Sequence, residues 1–463
     1  MRIHLRSRSA RAVFWLGLSV APAFPAFAQN LQNLPGLTES QRPVATAIQS
    51  ACASLGTRGA SRTPDEEKLF VSCRKMVQTA NALVPGNTAT GQSLGLTNEQ
   101  LRVAVQAVGH EEVAIQGRSA VEAAGGNAVG VRLFALRSGA RGFGIANAGD
   151  YGATQKSARA THADQETGGG AATEPAGRLG GFLNLNYNTG SKSTTAREDG
   201  FDFDNQGATA GLDYRLTDNL VAGVALSYAK TDATIVAALG RADAKSSAIS
   251  AYGSWYAGKF YLDAHLSFSR NDYDTTRNIV VVSQSPTVAG FNTTAVGRTN
   301  GNQHTAVIGA GYDINRGSLL VSPYGRLGYL KLKIDAYRES EPNHGLALDV
   351  GSQSLKSLQT AMGLKLTYTV STSTGVVVPF VSVEWNHEFD NDTRSLTAKY
   401  THDPFNNFFA IPTDTPDRDY YSLSAGVSAQ FRNGLSAFVT LNAVEGLRDV
   451  KNRSIVIGLR KEF

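Results

Sequence analysis

The residues best able to do chemistry are few and scattered. Cys52 and Cys73 are the only thiols in 463 residues. They lack the CxxC spacing of a redox pair and have no histidine beside them to complete a metal site. His110, Glu111 and Glu112 could offer ligands, but neither HExxH nor HxxEH is present, so a solvated helix face is the simpler reading. His265, His304, His344, His387 and His402 could act as bases only if the fold gathered them around a nucleophile. Residues 29–178 contain no GDS motif, and their one GxSxG match, Gly91-Gln-Ser93-Leu-Gly95, lies between two predicted helices with no strand before it to form a nucleophile elbow, so a catalytic N-terminal region has no support. Gly253-Ser-Trp-Tyr-Ala-Gly258-Lys259 spells most of a phosphate loop. Phe260 stands where the magnesium-binding hydroxyl belongs, and the frame is strand–turn–strand, so it reads as a hairpin. Gly142-Phe143-Gly144 lacks the third glycine of a dinucleotide loop. Asp390-Asn391-Asp392 lacks the later Gly and Glu of a calcium loop and reads as a solvated outer loop. No catalytic, cofactor-binding or metal-binding residue is assigned, and no cofactor is required.

The elements that carry these residues fall into two textures. The first 28 residues hold Arg2, Arg6, Arg8 and Arg11, an apolar run from Ala12 to Phe24, and Ala26-Phe27-Ala28. A basic start, a short apolar core and an A-x-A site make a secretory signal peptide (1–28), read by the Sec translocon. The chain has 44 basic and 39 acidic side chains; removing those four arginines leaves 40 against 39. A nearly neutral mature chain gives no reason to expect nucleic-acid binding. A short, mostly helical region (29–149) follows. Val44, Ala47, Ile48, Ala51 and Leu55 predict a helix over 43–55. Thr63-Pro64-Asp65-Glu66 predicts a capped helix that ends near Val84-Pro85-Gly86. Thr97 and Gln100 predict a third, over 97–124. Cys52 and Cys73 fall on the facing sides of the first two, which predicts a disulfide stapling a helical hairpin in an oxidising compartment. Gly-rich runs at 129–136 and 139–145 and a Gly-rich linker (150–178) complete this part.

From Leu179 the pattern becomes alternation, turn, alternation. About twelve strands are predicted: 179–188, 206–216, 220–231, 245–257, 260–273, 302–314, 319–335, 352–370, 376–389, 419–432, 435–442 and 453–463. The last is the clearest. Ile455, Ile457, Leu459 and Phe463 share one parity; Ser454, Gly458, Arg460 and Glu462 share the other. Short connections alternate with long ones at 189–205, 232–244, 274–301, 336–351, 390–418 and 443–452, the rhythm of a transmembrane barrel. No stretch after the leader offers about 20 apolar residues, so any crossing is made by strands. Tyr228, Trp255, Tyr256, Tyr273, Tyr329, Tyr368, Trp385 and Phe389 are placed as interfacial girdles. Asp213, Arg215, Asp263, His265, Arg326, Lys365, Glu384 and Arg460 are placed in a wet lumen, with Leu266 facing lipid and Ser267 facing inward.

Gly211-Leu-Asp-Tyr-Arg215, Pro323-Tyr-Gly-Arg-Leu327, Tyr337-Arg-Glu339, Ser357-Leu-Gln-Thr-Ala-Met-Gly363, Val378-Pro379, Glu384-Trp-Asn-His-Glu-Phe389 and Ile457-Gly-Leu-Arg-Lys-Glu-Phe463 together resemble the autotransporter β-domain of type V secretion, over residues 179–463. The resemblance implies an all-β, 12-stranded antiparallel barrel in the outer membrane of a Gram-negative cell, in contact with outer-membrane lipid. It implies that periplasmic chaperones and the barrel-assembly machinery deliver it, the latter reading Ile455, Ile457, Leu459 and Phe463. It also implies an upstream passenger that crosses during insertion and a helix threading the pore. The stretch before Leu179 is Gly-rich, the passenger is short, and Lys461 stands where an apolar residue is usual. The function expected is translocation and anchoring of a small N-terminal passenger whose ligand the sequence does not name. Two alternatives stand beside it: a porin or adhesin-like barrel whose N-terminal region stays periplasmic or plugs the pore, and an outer-leaflet hydrolase.

Overall fold

Alternating side chains make each strand two-faced, and a sheet with one apolar and one polar face can satisfy its backbone in lipid only by closing on itself. The structure, a computed structural model, describes residues 31–87, 91–109, 178–390, 392–431 and 434–463. Its elements are α1 (Gln41–Arg58), α2 (Pro64–Ala82) and α3 (Asn98–Val108), then eighteen strands. These are β1 (Leu179–Lys192), β2 (Phe201–Thr217), β3 (Leu220–Ile235), β4 (Gly240–Ala257), β5 (Phe260–Val281), β6 (Phe291–Tyr312), β7 (Ile314–Arg316), β8 (Leu319–Ile334), β9 (Tyr337–Arg338) and β10 (Leu348–Val350). They continue with β11 (Gln353–Tyr368), β12 (Val370–Thr372), β13 (Gly375–Glu388), β14 (Ser395–Tyr400), β15 (Phe409–Pro412), β16 (Asp419–Phe431), β17 (Leu435–Glu445) and β18 (Val450–Glu462).

Twelve of these strands, β1–β6, β8, β11, β13, β16, β17 and β18, form one antiparallel cylinder. It closes where β1 pairs with β18, from Gly180 opposite Glu462 to Lys192 opposite Val450. The expected seam between 182–188 and 455–463 lies inside this register, and the Phe463 amide adds one more bond to the Leu179 carbonyl. Leu179 and Phe463 share one end of the cylinder with the short turns; at that end Gly258 and Gly434 take positive φ, as tight hairpins require. The near-phosphate loop is one of these hairpins, between β4 and β5.

The long connections differ from expectation. Much of 189–205, 232–244 and 274–301 is strand, and β5 and β6 each run for 22 residues. The stretches 336–351 and 390–418 carry β9, β10, β14 and β15, which pair into a separate four-stranded sheet above the cylinder. The reason is a change of solvent along the strand: beyond the lipid, outward residues turn polar, so the apolar parity that marks a membrane strand is lost while pairing continues. Both N-terminal helix starts agree with expectation. Thr63 with Glu66, and Thr97 with Gln100, form reciprocal capping boxes. The third helix is shorter than expected. It ends at Val108 with Gly109 as its C-cap, where an added Cβ would lie 2.2 Å from Val44. The remainder of that span, the Gly-rich runs, the linker and the leader lie outside the described residues.

The three helices lie against the long-loop end. A single apolar cluster runs from Leu31, Ile48, Leu55, Met76, Leu101 and Val105 into Ile279, Phe291, Leu348, Tyr400, Phe409 and Ile411. Helices and outer sheet thus share one core.

Candidate functional site

Three features could carry function: the wall, the lumen and the outer cap. In the wall, β5 places Phe260, Leu262, Leu266 and Phe268 outward and buries Tyr261, Asp263 and His265 inward. Leu266 is 61% exposed, which in this setting means facing lipid. At the seam Ile457, Leu459 and Phe463 point out, while Val456, Arg460 and Glu462 are buried inside. Tyr228, Trp255, Tyr329, Tyr368 and Phe389 are exposed on the outer surface. Two residues placed in the girdles belong elsewhere: Tyr273 is 1% exposed within the outer extension of the cylinder, and Tyr256 has the inward parity of Tyr252 and Ser254. The Tyr273 ring packs there with Leu330, Leu332 and Leu355.

The lumen contains a cavity of about 410 Å³ whose lining includes Asp263, His265, Arg326, Lys365 and Glu384, as expected from their parity. Arg326 pairs with Glu384, and the Tyr324 hydroxyl donates to the same carboxylate at 3.1 Å. Lys365 places its ammonium 3.9 Å from the centre of the Phe380 ring. Around the cavity and toward the short-turn end, one pattern recurs in every hairpin that opens outward. Phe182, Tyr252, Tyr261, Tyr324, Phe380 and Phe438 each lie directly opposite a glycine: Gly211, Gly223, Gly311, Gly363, Gly426 and Gly458 respectively. A Cβ added at Gly363 would sit 2.4 Å from the Tyr324 ring, so the ring lies flat over bare backbone. Reading the sequence strand by strand misses this; pairing each inward aromatic with its hairpin partner at equal distance from the loop would have found it.

The outer cap is held by polar contacts around the shared core. Arg277, fully buried, binds Glu339 with two nitrogens and donates to the Leu346 carbonyl at 2.9 Å; Glu339 also accepts from the Leu348 amide at 2.8 Å. Glu341 collects Thr293 and the amides of Asn343, His344 and Leu346. Burial raises its carboxyl, but these donors outweigh it and hold the group below the usual range. His344 packs on Phe291 at 5.3 Å, and burial holds its imidazole below its ordinary value against the pull of Glu341. Lys192, 5% exposed, ties the β1–β2 loop to the β15–β16 connection through Glu198 at 3.0 Å and Asp414 at 2.7 Å. From the helical side, Ser72 donates to the His344 carbonyl, Lys75 to Ala289, Gln106 to Asp199, and Arg197 pairs with Glu39. Cys52 and Cys73 are joined as a disulfide between α1 and α2, with Cα atoms 5.5 Å apart.

The five histidines are not brought together. His265 is in the lumen and His304 on the outer wall; His344 packs on Phe291 in the cap, His387 bonds Asp419 at 2.9 Å, and His402 lies on the cap near Asp65. Among the described residues there is no group of three His, Cys, Asp or Glu side chains that could hold a metal. His110, Glu111 and Glu112 lie outside the described residues.

A closed cylinder with apolar outside, wet inside and short turns at the end that holds both its termini is an outer-membrane β-barrel. Among the described residues no helix is long and apolar enough to cross a membrane. Residues 181–442 match the family model described as autotransporter β-domain, and the chain belongs to that family: it is an outer-membrane autotransporter barrel. It is similar in fold to the translocator domain of autotransporter NalP from Neisseria meningitidis (TM-score 0.50, 17% identity, covering 62% of this chain and 88% of that one). The β-domain of the Bordetella autotransporter BrkA aligns with TM-score 0.44 and 17% identity, over 62% of this chain and 100% of that one. Esterase EstA from Pseudomonas aeruginosa and from Pseudomonas putida is each 24% identical over 287 residues, 61% of this chain. The chain thus spans 42% of the length of these curated relatives.

Proposed function

We propose that residues 29–149 form the exported passenger of this autotransporter and that its helices α1–α3 are retained after translocation as a cap on the outer mouth of its own barrel. The observation that carries this is the single apolar core shared by the helices and the outer sheet. A second supports it. The Tyr400 hydroxyl donates to the Val108 carbonyl at the long-loop end, whereas Arg178 accepts from Arg215 at the short-turn end. The chain that enters the barrel at Leu179 therefore begins its folded part on the other side of the membrane band. A periplasmic or pore-plugging N-terminal region would have to give up all of these contacts. In this reading the signal peptide (1–28) directs Sec export, 29–149 is passenger, 150–178 is linker and 179–463 is barrel. Periplasmic chaperones and the barrel-assembly machinery are the partners, and Ile455, Ile457, Leu459 and Phe463 present the apolar stripe that the latter reads.

We assign the chain no hydrolytic activity of its own. The EstA matches span 42% of those proteins, and the one GxSxG match in residues 29–178 lies between α2 and α3 with no strand leading into it, its Ser93 buried and accepting from the Gly95 amide. Hydrolysis of a p-nitrophenyl ester by the full chain above the buffer rate would overturn this assignment. The location is tested with an epitope tag placed after Gln29. Proteinase K on intact cells is expected to remove the tag and leave a membrane-protected fragment of barrel size. A tag that survives on intact cells and is lost only after permeabilisation puts the region in the periplasm and sinks the proposal.

A further inference from the structure

The outward face of the wall changes from apolar to charged at a definite height, and on one side of the barrel the charge there is basic and unneutralised. The last lipid-facing residues of β5, β6, β8 and β11 are Phe268, Ala306, Tyr329 and Leu358; the next outward residue on each is Arg270, His304, Lys331 and Lys356, all exposed. Lys331 stands directly opposite Lys356 across one strand boundary and opposite His304 across the other. Arg270, Asn302 and Lys333 form the next row. Side chains directly opposite in a sheet have Cβ atoms roughly 5 Å apart, and like charges there destabilise the pair. Elsewhere at this height the sheet relieves such pairs. Lys230 is bonded to Asp232 at 2.9 Å, Arg241 bridges Asp232 and Asp243, and Arg298 meets Asp274 at 3.0 Å. In the basic patch Lys333 pairs with Asp335 at 3.8 Å, and Arg270 has Asp272 as its next outward neighbour on β5; among the described residues Arg270, Lys331 and Lys356 have no ion-pair partner within 4 Å.

We propose that this patch, centred on Lys331 and Lys356, binds the phosphate groups of the lipid A headgroup in the outer leaflet. It rests on the outer-membrane placement of the barrel, not on where the N-terminal region lies. Three observations fit a lipid rather than a soluble anion. The patch faces sideways, away from the lumen and the cap. It begins one residue step beyond the aromatic and aliphatic edge that fixes the depth of the acyl chains, at Tyr329 and Leu358. Its lysines carry four-carbon stems long enough to cover that edge while their ammonium groups reach the headgroup layer. An anionic headgroup there replaces lysine–lysine repulsion with charge-assisted hydrogen bonds.

The test is native mass spectrometry of the full chain in detergent, titrated with bisphosphorylated lipid A, with the same lipid stripped of phosphate, and with inorganic phosphate. The proposal expects bisphosphorylated lipid A to bind, the stripped lipid to bind far more weakly, and inorganic phosphate not to compete. K331S/K356S should weaken lipid A binding roughly thirtyfold, at about one lysine's surface electrostatics each. R298S/R448S removes two charges that already have acidic partners, at Asp274 and Asp417, and should leave binding within about twofold. Heat-modifiable migration confirms that each variant is folded. Equal binding of the stripped lipid, competition by inorganic phosphate, or equal losses in the two double variants would each overturn the assignment. Should K331S/K356S fail to fold, the phosphate dependence of the unaltered chain still decides.

Discussion

Between Phe260 and Phe268, strand β5 shows Phe260, Leu262, Leu266 and Phe268 to the outside and Asp263 and His265 to the inside. Between Arg270 and Val281 the same strand, with no break in its ladder, shows Arg270, Asp272 and Asp274 outside and Tyr273, Ile279 and Val281 inside. The lower half obeys the rule of a lipid-soluble wall around water; the upper half obeys the rule of a water-soluble protein around an apolar core. Pairing and register are common to both, so the backbone does not choose the side-chain pattern. The solvent at each height does. The apolar core of the upper half is then completed by the three helices.

The largest effect that separates the two halves should come from the cap. Arg277→Met leaves Glu339 buried without its partner, at a cost of about 3–5 kcal/mol. Limited proteolysis should then cut within 336–411 while the barrel keeps its heat-modifiable migration; loss of both together would mean the halves fold as one unit. Next comes a charge on the outward face. Leu266→Arg should cost about 2–4 kcal/mol and lower the yield of heat-modifiable barrel, whereas Val280→Arg, on the same face of the same strand and opposite Asn292, should be close to neutral. Equal yields for the two would erase the boundary at Phe268. Within the lower half, Gly363→Leu must displace the Tyr324 ring and should cost about 1–3 kcal/mol, read as a lower urea midpoint of unfolding in detergent.

The smallest effect is that of pH, read here in the cap. The imidazole of His344 is held low, so the unfolded form binds the extra proton first and cap stability declines as pH falls below about 6.5. Glu341 contributes stability above the ordinary carboxylate value of about 4.3, which is lost as pH falls through its lower folded value. Both act in the same direction. Amide hydrogen exchange should show protection at 341–350 dropping on acidification while 220–226, which holds no titratable side chain, stays protected.

The contrast between the halves also explains what could be read from the sequence. Where outside is lipid, alternation is clear, and all twelve wall strands, the facing of β5 and β18 and the seam from Phe182 to Phe463 are legible, while Tyr256 at the end of β4 is not, because it directly follows outward Trp255 in the chain. Above Phe268 the outward set becomes Arg, Asp and Asn and the inward set mixes Tyr, Thr, Arg and Ile; no single parity is apolar, and 274–301 looks like a loop. Arg277 and Glu339 are 62 residues apart, so nothing local marks them as partners. Tyr273 looked like a girdle residue because it ends the apolar run, although its parity already pointed inward. The helical capping boxes were legible because their chemistry is contained in four consecutive residues.

The cap also has a mechanical consequence. Its core draws on the outer ends of β5 and β6 and on the segments that follow β8 and β13, and Lys192 joins it to the connection after β1. A pull on the helices away from the cell is therefore shared among several strands along their own axes. Loaded that way, the hydrogen bonds of the wall are sheared side by side instead of being peeled open one at a time. The weakest link under tension is then the contact between helices and outer sheet, and the cap should detach before the barrel tears.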